Sequence, residues 1–341
     1  MTLDIIFEVN NNLAKITLNR PKALNALSYS MFEQLHEHLT QWQKDDSIKA
    51  VLIRSNCEKA FCAGGDIRGI YENKHLTADE ISEYFRLEYS VNRLIAHFSK
   101  PYIALTHGIT MGGGIGISLH GSHCIAADNL RWAMPETAIG FFPDVGATYY
   151  LSRLPHNIGT YLALTGNIID AQNVLHLNLI KNIIALDNFD ALEQKLTERE
   201  FQSTDFDTVT NIVNSFSSGI VENNNALPIK DVEYFFRFST IEEIFDALNN
   251  ANSDWAKETL LQLSQRSPTS LKVALRQLQT AKEKTLDEVI TMDFQIAQCM
   301  LKNHDFYEGV RAAIIDKDKN PQWKPRNLSD VSDKIVDEYF L

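Results

Sequence analysis

The chain is organised around a short apolar run, Tyr102-Ile-Ala-Leu-Thr106, followed closely by three glycines, Gly112, Gly113 and Gly114. The run reads as a buried strand. Three glycines behind it let the backbone turn tightly and approach a ligand with no Cβ in the way. Beyond them, Ile115 to Leu119 could open a helix. Its first N–H groups and positive dipole end would face whatever occupies the turn. Such an end suits a negative charge developing on oxygen, although the same glycines would also serve a tightly packed structural turn. Two acids downstream, Glu136 in Met134-Pro-Glu136 and Asp144 in Phe142-Pro-Asp144, favour the functional reading.

The rest of the N-terminal half repeats strand and helix signals. Ile5 to Val9 and Ala14 to Leu18 flank Asn10-Asn-Asn12 and read as a hairpin. Ser30-Met-Phe-Glu33 has capping-box spacing, with Phe32, Leu35, Leu39 and Trp42 on one face of the helix that follows. Ala50 to Arg54 and Cys124 to Ala127 read as further strands, with helical patterns near Thr160 and Ala171. This alternation predicts an α/β fold with largely parallel strands. From Asp205 onward strand-like runs give way to helical ones: Ile241 to Leu248, Trp255 to Leu263, Ser270 to Ala281, Leu286 to Leu301 and Glu308 to Ile315. Ser267-Pro-Thr-Ser270 and Asn223-Asn-Asn225 break them. The expected division is therefore an α/β core over residues 1–204 and a mainly helical region over 205–341.

Charge and cysteine usage exclude several functions. A net charge of −12 argues against a nucleic-acid partner, which needs clustered Lys and Arg. Cys57, Cys62, Cys124 and Cys299 show no Cys-x-x-Cys spacing and read as reduced thiols. His120 and His123 beside Cys124 lack a second ligand pair, so no metal is expected. No apolar stretch approaches ~18 residues, so no membrane span is expected, and no targeting segment is evident. The expected location is the cytoplasm.

A second glycine cluster, Ala60-Phe-Cys-Ala-Gly-Gly-Asp66, follows the Ala50 strand and ends where Ile67 and Arg68 could begin a helix. Neither cluster has dinucleotide-binding or phosphate-loop spacing, and Ser118 does not sit in a nucleophile elbow. Taken in order, Ala60 to Asp66, Met111-Gly-Gly-Gly114 and Met134-Pro-Glu136 resemble the enoyl-CoA hydratase/isomerase (crotonase) superfamily. Within it, Gly108 to Gly114, Pro135 to Gly140, Phe142 to Gly146, Ser267 to Leu271 and His304 to Arg311 are similar to the branch that hydrolyses 3-hydroxyisobutyryl-CoA, an intermediate of valine breakdown.

The resemblance implies a crotonase-like spiral of ββα units followed by a mainly helical C-terminal region. It implies an acyl-CoA substrate, with coenzyme A belonging to that substrate and no separate cofactor; a homo-oligomer is left open. The backbone N–H groups of Gly65 and Gly113 would hold the thioester oxygen, with Gly64, Asp66 and Gly112 beside them at the substrate. Glu136 would be the nucleophile or the general base. Asp144 would orient the substrate hydroxyl or water, or exchange protons with Glu136, and Glu88 would contact substrate. Hydratases carry a second catalytic glutamate where this chain has Gly116, which favours hydrolysis over hydration. Enoyl-CoA hydration or isomerisation, and acyl-CoA binding without catalysis, are the alternatives.

Overall fold

A computed structural model describes residues 3–73, 77–199, 201, 204–217 and 226–341. Ten strands occur among them: β1 (Ile5–Asn10), β2 (Leu13–Leu18), β3 (Ala50–Ser55), β4 (Ala60–Cys62), β5 (Tyr102–Thr106), β6 (Ile109–Met111), β7 (His123–Ala127), β8 (Arg131–Ala133), β9 (Ile169–Asp170) and β10 (Asn182–Ile184). The chain divides into two compact units, each discontinuous in sequence. The first combines residues 1–66, 90–132 and 169–226, and the second residues 67–89, 133–168 and 227–341. The expected boundary after residue 204 falls inside the last segment of the first unit, and the Asn223 to Asn225 break lies outside the described residues.

The first unit holds a six-stranded sheet in the order β1-β2-β3-β5-β7-β10. β1 and β2 form the expected antiparallel hairpin, turning at Asn11, whose φ of +55° is a conformation asparagine tolerates. The other neighbours pair in parallel, with Leu13 opposite Ala50, Val51 opposite Tyr102 and Ile103 opposite His123. Parallel strands covered on both faces must be apolar along their length. Accordingly Leu52, Ile103, Leu105 and Ile125 pack with Phe189, Leu192, Val209 and Val213 in one buried cluster. A second sheet, β4-β6-β8-β9, carries the glycine loops at the ends of β4 and β6.

Helix Tyr29–Lys44 buries Phe32, Leu35, Leu39 and Trp42 as the spacing predicts. Its cap is Ser28, not the expected Ser30. Ser28 has extended backbone angles and accepts from the Met31 N–H, whereas Ser30 lies within the helix.

The second unit is mainly helical, and several ends are set by local chemistry. Thr240 with Glu243 and Thr285 with Glu288 form capping boxes that start helices Ile241–Asn249 and Leu286–Met300. Ser267 caps helix Pro268–Ala281, whose proline at the first position loses only an N–H with no helical partner. The helix expected over Glu308 to Ile315 instead runs from His304 to Val310 and passes into a π-helical turn, Arg311–Ile315. Around that turn the Arg311 guanidinium is held by Glu308, Asp316 and Asp318.

Candidate active site

In the first unit the two glycine loops lie against each other. Gly64 has φ +111°, and a Cβ built there would stand 3.3 Å from the Met111 carbonyl oxygen and 3.5 Å from the Gly113 nitrogen. Gly114 is closer still, since its Cβ would meet the Cys62 carbonyl at 2.5 Å. Only glycine permits this approach. Leu27 stitches the first loop in place, donating to the Gly64 carbonyl and accepting from the Asp66 N–H at 2.9 Å each. The Asp66 carboxylate is taken up by Arg20 at 2.7 Å.

The helix expected from Ile115 begins two residues earlier and is one turn long, Gly113–Gly116, with Gly112 before it. It ends early because Ser118 Oγ bonds the Gly114 carbonyl at 2.8 Å, while the Ser118 N–H turns to Ile115. No backbone carbonyl of the described residues accepts from the N–H of Gly65 or Gly113. Two loops in contact thus present two uncommitted donors, the requirement for holding an oxyanion.

The second unit gathers the acids. Glu88 lies on helix Ala78–Ala96, Glu136 opens the 3-10 turn Glu136–Ile139, and Asp144 follows it in the Phe142-Pro-Asp segment. All three are buried, at 3%, 8% and 5% exposure. A lone buried carboxylate costs several kcal/mol to ionise, and neighbours of like charge raise that cost. Burial is the main cause that lifts all three. Asp144 adds to the rise of Glu136, and both Asp144 and Glu136 add to that of Glu88. Asp144 is pushed up to about 7, less than burial alone would give, because Tyr89 Oη donates to its Oδ2 at 2.8 Å and favours the ionised form. Glu136 Oε2 is buried without a hydrogen-bond partner, which is expensive in a resting fold and suits an atom that meets substrate or water. The charge on one of these acids therefore weighs on the proton affinity of its neighbours.

Backbone contacts seat Glu136. A Cβ on Gly140, where φ is +69°, would lie 2.1 Å from the Asp305 carbonyl oxygen, and one on Gly309 would lie 2.2 Å from the carbonyl carbon of Ile139. Helix His304–Val310 thus packs on the 3-10 turn with no side chain between them. Asp305, also buried, accepts from Ser267 Oγ at 2.6 Å and from the Lys324 N–H at 2.8 Å, fixing that helix.

Sequence reasoning missed Tyr89, Gln277 and Asp293. Asp293 is fully buried, and Gln277 bridges it to the Pro143 carbonyl. A usable signal existed, because Asp293 stands at the core-facing spacing Val289, Ile290, Asp293, Ile296, Ala297 of its helix. Away from the acids, His123 is committed to Ser122 and Thr210. Among the described residues no group of three or more His, Cys, Asp or Glu side chains could hold a metal.

Comparisons with known proteins agree on the family and differ in the activity that each name carries. The family model for enoyl-CoA hydratase/isomerase matches residues 13–340. The chain is 38% identical to a bovine protein (Bos taurus) named 3-hydroxyisobutyryl-CoA hydrolase, mitochondrial, over 99% of its own length and 88% of the relative's. It is 37% identical to the Homo sapiens protein of that name, with the same coverage. Among solved structures, a carnitinyl-CoA dehydratase from Mycobacterium thermoresistibile superposes with TM-score 0.90 at 30% identity, covering 100% of this chain and 97% of the other. An enoyl-CoA hydratase from Rhodobacter sphaeroides 2.4.1 also gives 0.90 at 30% identity, covering 99% and 97%.

Proposed function

Because the chain belongs to the enoyl-CoA hydratase/isomerase family and has the crotonase fold, we propose that it hydrolyses an acyl-CoA thioester, with 3-hydroxyisobutyryl-CoA as substrate and 3-hydroxyisobutyrate and CoA as products. The observation that carries the reading is the buried, unpartnered Oε2 of Glu136 beside Asp144.

In this reading the N–H groups of Gly65 and Gly113 hold the thioester oxygen, with Gly64 and Gly112 shaping the loops and Asp66 at their edge. Each donor lies about 2.7–3.1 Å from the oxyanion of the tetrahedral state and contributes roughly 10²–10³ in rate. Glu136 attacks the carbonyl carbon to give an acyl anhydride and free thiolate, or takes a proton from the attacking water. A carboxylate lifted by burial is a better base near neutral pH than one in water. Asp144 orients the 3-hydroxyl or the water, and its own position near 7 lets it exchange a proton within the cycle. Glu88 contacts the substrate. No metal or separate cofactor is assigned.

The names of the two similar solved structures favour a second reading, hydration or dehydration of an enoyl-CoA. Gly116 stands where hydratases have a second glutamate, so the hydrolase reading comes first. The relatives' names carry a mitochondrial address, and no described helix is long and apolar enough to cross a membrane. A cytoplasmic location is our proposal for this chain, which fractionation of cells would test. The activity is tested by free-thiol release from 3-hydroxyisobutyryl-CoA in the presence of EDTA, beside hydration of crotonyl-CoA. EDTA-resistant release is expected; absent release with efficient crotonyl-CoA hydration would overturn the reading in favour of the second.

A further inference from the structure

Val145 and Gly146, immediately after Asp144, both adopt left-handed backbone angles, with φ +52° and +74°. Two such residues in succession are costly when one of them is β-branched, and they persist only where their surroundings hold them. The restraint comes from two buried side chains on separate helices. Asp293 Oδ2 accepts from the Gly146 N–H at 2.8 Å, and its Oδ1 accepts from Gln277 Nε2 at 2.7 Å. The same Gln277 nitrogen donates to the Pro143 carbonyl at 2.9 Å. Residues 143 and 146, one before Asp144 and two after it, are thereby tied to a single fully buried carboxylate. Nothing in the proposed chemistry uses that carboxylate, and burying it uncompensated would be expensive.

We propose that Asp293 and Gln277 are positioning residues that clamp the Pro143–Gly146 turn and so aim the Asp144 carboxylate at the substrate. The proposal rests on the reading of Asp144 as a catalytic acid. Tyr89 fixes the carboxylate from its own side, so backbone and side chain of Asp144 are held independently. The groups that face Asp144 are Glu88 and Tyr89 from helix Ala78–Ala96, Glu136 from the 3-10 turn, and Asp293 from helix Leu286–Met300. Burial lifts Asp293 well above the ordinary carboxylate range, and Asp144 adds to the rise.

The test is steady-state kinetics of four folded variants: Asp293→Asn, Asp144→Asn, the two combined, and Gln277→Met. Asp293→Asn keeps the shape, but its amide and that of Gln277 then bring donor against donor. It should lower kcat about ten- to a hundredfold, as expected for a slightly misplaced catalytic group, with KM changed less than about threefold. Combining it with Asp144→Asn should cost little beyond Asp144→Asn alone, since the clamp acts only through Asp144. Gln277→Met breaks the clamp from the other helix and should lower kcat similarly, which decides the matter if Asp293→Asn does not fold. Folded Asp293→Asn and Gln277→Met with kcat within about twofold of wild type, or losses that multiply in the double variant, would overturn the clamp. An inactive Asp144→Asn beside a fully active Asp293→Asn refutes the clamp alone; an active Asp144→Asn refutes the role of Asp144 and the clamp with it.

Discussion

Replacing Asp144 by Asn should stabilise the fold at alkaline pH while removing activity. The sign follows from proton binding. An acid whose pKa is higher folded than unfolded leaves the folded state binding more protons between the two values, so stability falls as pH rises through that window. For Asp144 the window runs from the ordinary 3.8 to about 7, with burial the main cause. Between pH 5 and 8 the wild type should lose about 3 kcal/mol on this account, at ~1.4 kcal/mol for each pH unit up to 7. Asn cannot ionise, yet it still accepts from Tyr89 Oη, so the variant lacks that loss while keeping the contact. Glu88, Glu136 and Asp293 have the same sign and are relieved when their neighbour is neutral, so the difference should not be smaller. Groups elsewhere cancel between the two proteins. Urea denaturation at pH 5, 6, 7 and 8 reads the effect directly, and in melting temperature it amounts to about 4 °C at pH 8 for a chain of this length. A variant whose stability falls with pH in parallel with wild type, or that is less stable than wild type at pH 8, would show that Asp144 is not a strained buried acid.

Glu136→Gln keeps the shape of the residue but can be neither base nor carboxylate nucleophile, so thiol release should drop at least ~10²-fold while acyl-CoA still binds; more than a tenth of wild-type activity would sink the assignment. Gly113 occupies the first position of its helical turn, where proline's φ is tolerated, so a folded Gly113→Pro protein lacks the N–H and should lose ~10² in kcat. Near-normal turnover in a folded Gly113→Pro protein would reduce the triplet to a structural turn. Tyr89→Phe removes the donor that favours ionised Asp144, so the limb of the pH profile that requires that carboxylate charged should move to higher pH. An unmoved profile would detach Tyr89 from the chemistry.

Much of the architecture was legible because burial writes a period into sequence. The apolar runs at Ala50 and Tyr102 became central strands, and Phe32, Leu35, Leu39 and Trp42 became one buried helix face. Ends were less legible where a side chain competes locally. Ser28 outdoes Ser30 as a cap, and Ser118 cuts short the helix that the Ile115 to Leu119 run predicts. Glu136 and Asp144 could be named from motifs and Glu88 from the family resemblance, and the structure brings these three together within one unit. Asp293 and Gln277 have no motif, because what they recognise is a pair of backbone groups beside Asp144. Their trace in the sequence is a polar residue on an otherwise apolar helix face, as with Gln277 among Val273, Ala274, Leu278 and Ala281.

The glycine at 309 that seats against Ile139 sets a clock on the assembly of the acids. The two positions are 170 residues apart (309 − 139), so the 3-10 turn carrying Glu136 leaves the ribosome long before the helix that holds it. At ~5–20 residues per second that interval is on the order of ten to thirty seconds. Through it Glu136 and Asp144 are wet, ionised side chains on an unsupported segment. When the last helices dock, the acids lose their water and their affinity for protons climbs, Asp144 to about 7. Completion of this protein is therefore a proton-consuming event, and refolding in a weakly buffered solution at neutral pH should leave the solution more alkaline.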